Sequence, residues 1–306
     1  MKKEKLQLTF GPIHSRRFGI SLGIDLSPTK KQCNFDCLYC ELEPASTMEV
    51  QDDSIGVDLY IQAVQNELEN HKKIDVITIT ANGEPTMYPY LDELIRKLNT
   101  IKNDTKLMIL SNSANIHKKK IYEPLLNLDI VKLSLDCASE KCFKKLDRLD
   151  ETINYQDIIN GIIDFSKIHT NDLIIEILFV DTLNNKKEEI TKLNKILKEI
   201  KPTRVDIGTI DRPPAYDVKA ISYEELQEIA QQFDGQNIAI AHRKKVALHD
   251  NYSNEAILNM LDKRPLSDDD IENLFDEDSK NRFLMLLKDK KINTKNQSGV
   301  TFYGRA

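Results

Sequence analysis

The sequence has no long apolar run, and this absence bears on where the protein works. The first residues, MKKEKLQLTFGPIH, contain no secretory signal, and no later stretch is both long and charge-free enough to span a membrane. We therefore predict a cytoplasmic protein that works away from membranes. Positive charge is also limited, because the net charge is −6. This excludes a protein that coats nucleic acid with uniform positive charge, although it allows local basic patches.

Cysteine is scarce, with five residues in a chain of 306. Cys33, Cys37 and Cys40 all lie in the eight-residue segment CNFDCLYC, and the other two are Cys137 and Cys142. The cytoplasm keeps thiols reduced, so bunched cysteines there favour a metal site or catalysis over a disulfide framework. Two ligands are too few for a second metal cluster. We interpret Cys137 and Cys142 as small buried residues beside a helix start, with a redox pair as the alternative.

Between residue 18 and about residue 240, short β-branched runs alternate with longer amphipathic runs. Repeated β–α units predict an α/β fold with parallel strands and right-handed crossovers, either an open doubly wound sheet or a full or partial barrel. In each case the polar segments that follow the strands meet at one mouth. The predicted strands are GISLGIDL (19–26), IDVITITA (74–81), KLMILSNS (106–113), DIVKLSLD (129–136), LIIEILFV (173–180) and TRVDIGTI (203–210).

The pattern changes after about residue 252, where three helical segments precede a hairpin that turns at NQSG. This order predicts a winged-helix-like domain over residues 253–306, following a main domain over residues 1–252. Ser267 with Asp270 resembles a capping box, and Ser279 is a candidate cap for the third helix. The apolar residues expected to face the small core are Phe283, Leu286 and Leu287.

The spacing C-x3-C-x2-C allows one loop to aim three thiolates at a single point. Structural zinc prefers four ligands in a closed tetrahedral shell, and no fourth cysteine lies nearby. A [4Fe–4S] cluster is usually held by four thiolates, so three leave one iron open to a small molecule. This pattern favours a metal or cluster site, with core filler or a redox pair as the alternative.

C-x3-C-x-Φ-C, with Tyr39 just before the last cysteine, resembles the signature of the radical S-adenosylmethionine (SAM) superfamily. The resemblance implies a partial (β/α)6 TIM-like barrel and a [4Fe–4S] cluster on Cys33, Cys37 and Cys40. It also implies that the amino and carboxylate groups of SAM chelate the open iron, with Tyr39 near the adenine. An electron donor such as flavodoxin or ferredoxin is then required.

Further predicted SAM contacts follow the other strands. Gly83, Glu84 and Pro85 match the superfamily's Gly-Glu-Pro motif, which binds the SAM amino group, and a plain surface turn is the alternative. By resemblance, the next two loops contact the ribose and carboxylate of SAM, although each of their polar residues is also a good helix cap. These residues are Asn112, Ser134 and Asp136. Glu176 interrupts an apolar strand, so it needs a partner or points into the barrel lumen.

Several segments, including GPIHSRRFGISLGIDLSP, NGEPTMYP and VDIGTIDRPPA, are similar to proteins related to the archaeal wyosine-base (tRNA imidazoguanosine) synthase. Those enzymes carry further upstream cysteines, and the 32 residues before Cys33 contain none here. We therefore predict a radical SAM enzyme of unknown substrate, with catalytic residues unknown. Candidates for binding an anionic substrate are Arg16, Arg17 and Arg212.

Two alternatives remain from the sequence. One is a tRNA- or RNA-modifying radical SAM enzyme, and the other is a non-catalytic Fe–S sensor that binds DNA through the winged helix. In either case the C-terminal domain contacts nucleic acid, although winged helices also dock proteins. The basic residues that would meet phosphates are Lys280, Arg282, Lys288, Lys290 and Lys291.

Overall fold

The computed structural model describes residues 6–15, 17–240, 249–263, 265–297 and 300–306. Up to residue 240, strands and helices alternate along the chain as the sequence predicts. The elements of this part are β1 (Thr9–Ser15), β2 (Gly19–Asp25), α1 (Val57–Asn70), β3 (Val76–Thr80), α2 (Leu91–Ile101), β4 (Lys106–Ser111), α3 (Lys119–Leu125), β5 (Ile130–Ser134), α4 (Glu140–Cys142), α5 (Tyr155–Ile168), β6 (Asp172–Phe179), α6 (Lys187–Ile200), β7 (Arg204–Thr209), α7 (Tyr223–Ala230) and β8 (Ile238–Ile240).

These strands form one sheet in the order β1 to β8, so each strand lies beside its neighbour in the chain. Strands β2 to β8 are parallel, and β1 pairs antiparallel with β2. The six predicted strands correspond to β2–β7, so the α/β prediction is confirmed. All polar segments after the parallel strands therefore leave the same edge of the sheet.

The sequence analysis missed β1 and β8. Gly11 and Pro12 interrupt β1, and both residues argue against a strand in the middle of a sheet. The structure tolerates them because β1 is an edge strand whose pairing is irregular between Phe10 and Ile13. Strand β8 has only three residues, which is too short for a periodic signal.

The two faces of the sheet bury different sets of side chains. The large core lies between the sheet and its helices, and it includes Ile77, Ile109 and Val131. A smaller cluster comes from the alternate positions of the same strands and is formed by Val76, Met108, Ile130 and Ile174. Since successive side chains of a strand point to opposite faces, the smaller cluster lies on the other face of the sheet, near the amino-terminal ends of the strands.

Helix α1 packs on the sheet through Val57, Tyr60 and Val64. Leu59 of the same helix is 54% exposed. The neighbouring Tyr60 is buried, and its hydroxyl donates to the Asp25 carbonyl over 3.1 Å. None of the helices in the described ranges combines the length and apolarity needed to cross a bilayer.

The described residues divide into two compact units, the first within Met1–Ile210 and Pro214–Ala241, and the second within Asp211–Pro213 and His242–Ala306. Residues 241–248 lie outside the described chain, so the predicted boundary near residue 252 stays a prediction. The elements of the second unit are α8 (Asn254–Lys263), β9 (Leu266–Ser267), α9 (Asp268–Leu274), α10 (Glu277–Lys288), β10 (Ile292–Gln297) and β11 (Val300–Arg305).

In the second unit, β11 lies between β10 and β9 in a three-stranded sheet. The order of helices and strands agrees with the predicted domain, and its winged-helix character stays a prediction; residues 298 and 299 of the NQSG turn lie outside the described chain. The capping box of Ser267 and Asp270 is confirmed. The predicted cap at Ser279 is wrong, because Asp276 caps α10 and its carboxylate accepts from the Ser279 backbone N–H.

Candidate functional site

The cysteine loop, defined here as residues 31–40, follows β2 at the carboxyl edge of the sheet. It is joined to the loop after β3 by two backbone hydrogen bonds: the Gln32 N–H donates to the Asn82 carbonyl, and the Glu84 N–H donates to the Gln32 carbonyl, each over 2.9 Å. Gly83 lies at the crossing with φ +138°, and a Cβ there would be 1.8 Å from the Gln32 oxygen. The Gly-Glu-Pro segment therefore needs glycine so that it can approach the cysteine loop.

A second segment supports the other side of the cysteine loop. The Leu38 N–H donates to the Leu146 carbonyl over 2.9 Å, and the Asp150 N–H donates to the Asn34 carbonyl over 3.0 Å. The Cys40 carbonyl accepts from the Ala215 N–H over 2.8 Å. The backbone that carries the three cysteines is therefore fixed by segments that follow three other strands.

Cys33, Cys37 and Cys40 are free thiols and are partly buried. Burial raises the pKa of Cys33 to about 12 and raises the pKa of Cys37 and of Cys40 as well. The charges of Cys33 and Cys40 raise the pKa of Cys37 further, so the three sulfurs lie within electrostatic range of one another. Thiolates are the metal-binding form, and this environment ionises them only when a cation compensates the charge.

Glu84 is buried and joins two loops. One of its carboxylate oxygens accepts from the Thr86 N–H, the Thr86 hydroxyl and the Ser111 hydroxyl at 2.6 to 2.9 Å. The other accepts from the Asn112 N–H over 2.7 Å. Burial raises the pKa of Glu84, while these hydrogen bonds act in the opposite direction. By accepting these four hydrogen bonds, the Glu84 carboxylate holds the loop after β3 against the loop after β4.

Asn112 and Ser134 lie where β4 and β5 end, as predicted. The Asn112 amide donates to the Asn34 side chain over 2.8 Å, and it also lies 3.7 Å from the Cys33 sulfur. The Ser134 carbonyl accepts from the Ser113 hydroxyl over 2.8 Å. Asn112 is thus beside the cysteine loop, whereas the Ser134 carbonyl contacts the turn that follows β4.

Tyr39 and Asp136, which the sequence analysis proposed separately, are brought together by the fold. The Tyr39 hydroxyl donates to the buried Asp136 carboxylate, whose other oxygen accepts from the Leu178 N–H over 2.7 Å. Burial raises the pKa of Asp136, and the charge of Glu176 raises it further. The last turn of the cysteine loop is therefore fastened to the ends of β5 and β6.

Asp36 forms a second fastening point in the cysteine loop. Its Oδ2 accepts from the Tyr216 hydroxyl over 2.5 Å and pairs with the Arg148 guanidinium at 3.1 Å. The guanidinium also stacks over the Tyr216 ring at 4.8 Å. Of these three residues, the sequence analysis singled out none, because their pairing depends on segments more than a hundred residues apart.

The face of the sheet that carries the smaller apolar cluster also holds a group of charged side chains on β5, β6 and β7. Lys132 lies 2.5 Å from Glu176 and 3.3 Å from the fully buried Asp206. Glu176 therefore has the charged partner that its apolar strand required. Arg17 pairs with Asp206 at 3.2 Å, which gives it a structural partner. Of the other predicted arginines, Arg212 belongs to the second unit and already has a partner, and Arg16 lies outside the described residues.

Cys137 and Cys142 are buried beside the start of α4, as predicted, but they are not separate thiols. They form a disulfide with Cα atoms 5.5 Å apart, which fits the redox-pair alternative. The Glu189 carboxylate lies close to both sulfurs. It accepts from the Ala138 N–H and the Ser139 hydroxyl, so it is already occupied in holding this turn.

A cavity of about 660 Å³ lies at the opposite end of the strands. Ile74, Thr105 and Ile130 line it, and each of them lies at or just before the amino-terminal end of a strand. Chemistry in parallel α/β folds collects at the carboxyl ends, where the cysteine loop lies. We therefore place the candidate site at the cysteine loop.

Comparison with known proteins gives one family match. The model of the radical SAM superfamily matches residues 28–194. A UPF0026 protein of Helicobacter pylori is 38% identical over 307 residues, which cover 99% of each chain.

Two solved structures are similar in fold. Streptococcus suis SuiB bound to S-adenosylmethionine has a TM-score of 0.54 at 19% identity, over 70% of this chain and 49% of that one. A radical SAM methyltransferase from Sphaerobacter thermophilus has a TM-score of 0.55 at 13% identity, over 72% and 66% of the two chains.

Proposed function

This chain belongs to the radical SAM superfamily and to the UPF0026 proteins, and we propose that it cleaves SAM reductively to act on a substrate. The cofactors of the superfamily are SAM and a [4Fe–4S] cluster. We assign cluster binding to Cys33, Cys37 and Cys40. The observation that carries the proposal is the fixed cysteine loop, which holds three free thiols between the loop after β3 and the segment 146–150.

The donor set fits this cluster. Each of the three thiols on this loop would bind one of the four irons of the cluster. No cysteine beyond these three is free among the described residues. The remaining iron is then available to SAM. Zinc would favour a fourth protein ligand, and the two other cysteines are bonded to each other.

When bound and reduced, this cofactor pair supplies a 5′-deoxyadenosyl radical that abstracts a hydrogen atom from a substrate carbon. The protein contributes binding, orientation and exclusion of water. Gly83 permits the close contact between loops, and Glu84 holds them together. Because the Glu84 carboxylate already receives four hydrogen bonds, we assign recognition of the SAM amino group to the carbonyls of this loop.

The proposed roles of the remaining SAM-site residues follow from their contacts. Asn112 orients Asn34 and the first turn of the cysteine loop through its amide. Asp136 holds the Tyr39 hydroxyl, which keeps the tyrosine ring directed toward the site where we propose the adenine binds. We propose that Pro85 and Ser134 line the same SAM-binding site.

The test is anaerobic reconstitution of the whole chain with iron and sulfide. We expect about four irons per chain, an electron paramagnetic resonance signal that changes on SAM addition, and 5′-deoxyadenosine after reduction. Cys33→Ala, Cys37→Ala and Cys40→Ala should each lose the cluster. Cys142→Ala is the matched control, since it removes a cysteine outside the loop and should keep the cluster.

The outcomes separate the rival functions. A protein that holds zinc, or one whose cluster signal ignores SAM, contradicts the proposal. A cluster with no SAM cleavage favours the Fe–S sensor, which also predicts DNA affinity that falls with salt. An RNA-modifying enzyme predicts a changed nucleoside mass spectrum of tRNA from a strain that lacks the gene.

A further inference from the structure

Lys31, the first residue of the cysteine loop, carries a buried charge. Its side chain is 9% exposed, and its ammonium lies within hydrogen-bonding reach of the Cys40 thiol. The neighbouring Lys30 is a typical surface lysine, since it is 47% exposed and pairs with Asp52 at 2.7 Å. Two adjacent lysines therefore differ sharply, and only Lys31 is turned into the protein.

The nearest carboxylate gives Lys31 an ion-pair partner without a close hydrogen bond. Asp36 Oδ1 lies 3.7 Å from the ammonium, which is too far for a hydrogen bond. Asp36 is also neutralised from its other side, where Oδ2 meets Arg148 and Tyr216. The Asp36 carboxylate is thus shared between two cations, Lys31 and Arg148.

The ammonium lies on the side of the loop where the thiols are. Burial raises the pKa of Cys40 and of Cys33, and the charge of Lys31 acts in the opposite direction on both. Burying an ammonium is costly unless it meets acceptors, and Lys31 shares its carboxylate with Arg148. An anion bound beside Cys40 would give this ammonium a further acceptor.

We propose that Lys31 is a positioning residue that donates to the sulfur face of the cluster beside Cys40 and makes the cluster easier to reduce. The inference rests on the proposed function, because it requires the cluster. A [4Fe–4S] cluster with three thiolates is anionic, and it gains one more negative charge on reduction. A fixed positive charge therefore stabilises the reduced form more than the oxidised form.

The measurement is the midpoint potential of the reconstituted cluster without SAM, obtained by redox titration monitored by electron paramagnetic resonance. We expect Lys31→Met to be at least about tenfold harder to reduce, a shift of about 59 mV to more negative potential for one electron. Lys31→Arg keeps the charge and should stay near the wild type. Lys30→Met is the matched control and should leave the potential unchanged, because Lys30 is exposed and paired with Asp52.

The results distinguish this inference from the proposed function. A wild-type protein that takes up no cluster overturns both. If the wild type has a SAM-responsive cluster and Lys31→Met has the same potential as Lys30→Met, only the inference fails. If Lys31→Met and Lys31→Gln take up no iron, Lys31→Arg decides: a cluster at wild-type potential supports the role of the charge, and loss of the cluster there as well overturns it.

Discussion

Replacing Gly83 by alanine tests whether the contact between the two loops builds the site. The new Cβ would lie 1.8 Å from the Gln32 carbonyl oxygen, and Gly83 also has a φ of +138°. The clash is with backbone, so the cysteine loop must move away and give up its two hydrogen bonds to residues 82 and 84. Leaving buried backbone groups unpaired costs about 1–3 kcal/mol each, and the φ strain adds about 1–3 kcal/mol.

The expected total for Gly83→Ala is about 3–9 kcal/mol, which is comparable to the whole stability of a typical domain. We would measure it by urea denaturation of the metal-free protein, followed by circular dichroism, together with iron content after reconstitution. Both should fall, and iron content should fall more than tenfold because the cysteine backbone loses its support.

Two other glycines serve as controls. Gly235 has a φ of +75° and open space at its Cβ position, so Gly235→Ala reports the conformational strain alone. Gly56 has a φ of −65° and open space, so Gly56→Ala should be nearly neutral. If Gly83→Ala matches Gly235→Ala in stability and iron content, the loop contact does not matter and the reasoning is refuted.

Three further predictions concern other parts of the first unit. Burial lowers the pKa of His169, so the folded state favours the neutral ring; the resulting stability is present above about pH 6.5 and is lost as the pH falls below it. His169→Phe should remove this loss of stability. The prediction is wrong if the urea midpoint changes by the same amount in both proteins between about pH 7 and about pH 5. Alkylation of the urea-unfolded chain should label three cysteines before reduction and five after it, because Cys137 and Cys142 are bonded; five labelled cysteines without reductant would disprove the pairing. Lys132→Met leaves the carboxylate of Glu176 without its 2.5 Å partner and should cost about 1–3 kcal/mol in urea denaturation. Adding Glu176→Gln should recover part of this loss, and strictly additive losses would show that the two side chains are not coupled.

The sequence by itself determined the class of fold and the position of the cluster motif. β-Branched runs predict strands because such side chains suit a pleated surface that is covered on both faces. All six runs became β2–β7, and the superfamily assignment from CNFDCLYC was confirmed. The capping box at Ser267 was also readable, since both of its partners lie within one helical turn. These signals are local, so no knowledge of distant neighbours is needed to recognise them.

Tertiary structure alone decided which distant side chains meet. Tyr39 and Asp136 are 97 residues apart, and Asp36 and Tyr216 are 180 apart, so neither pair leaves a periodic signal in the sequence. The burial of Lys31 likewise leaves no signal in the sequence, because Lys30 has the same charge and the same local context. Burial and pairing depend on segments that follow different strands, and only the parallel sheet, by ending those strands at one edge, brings the segments together.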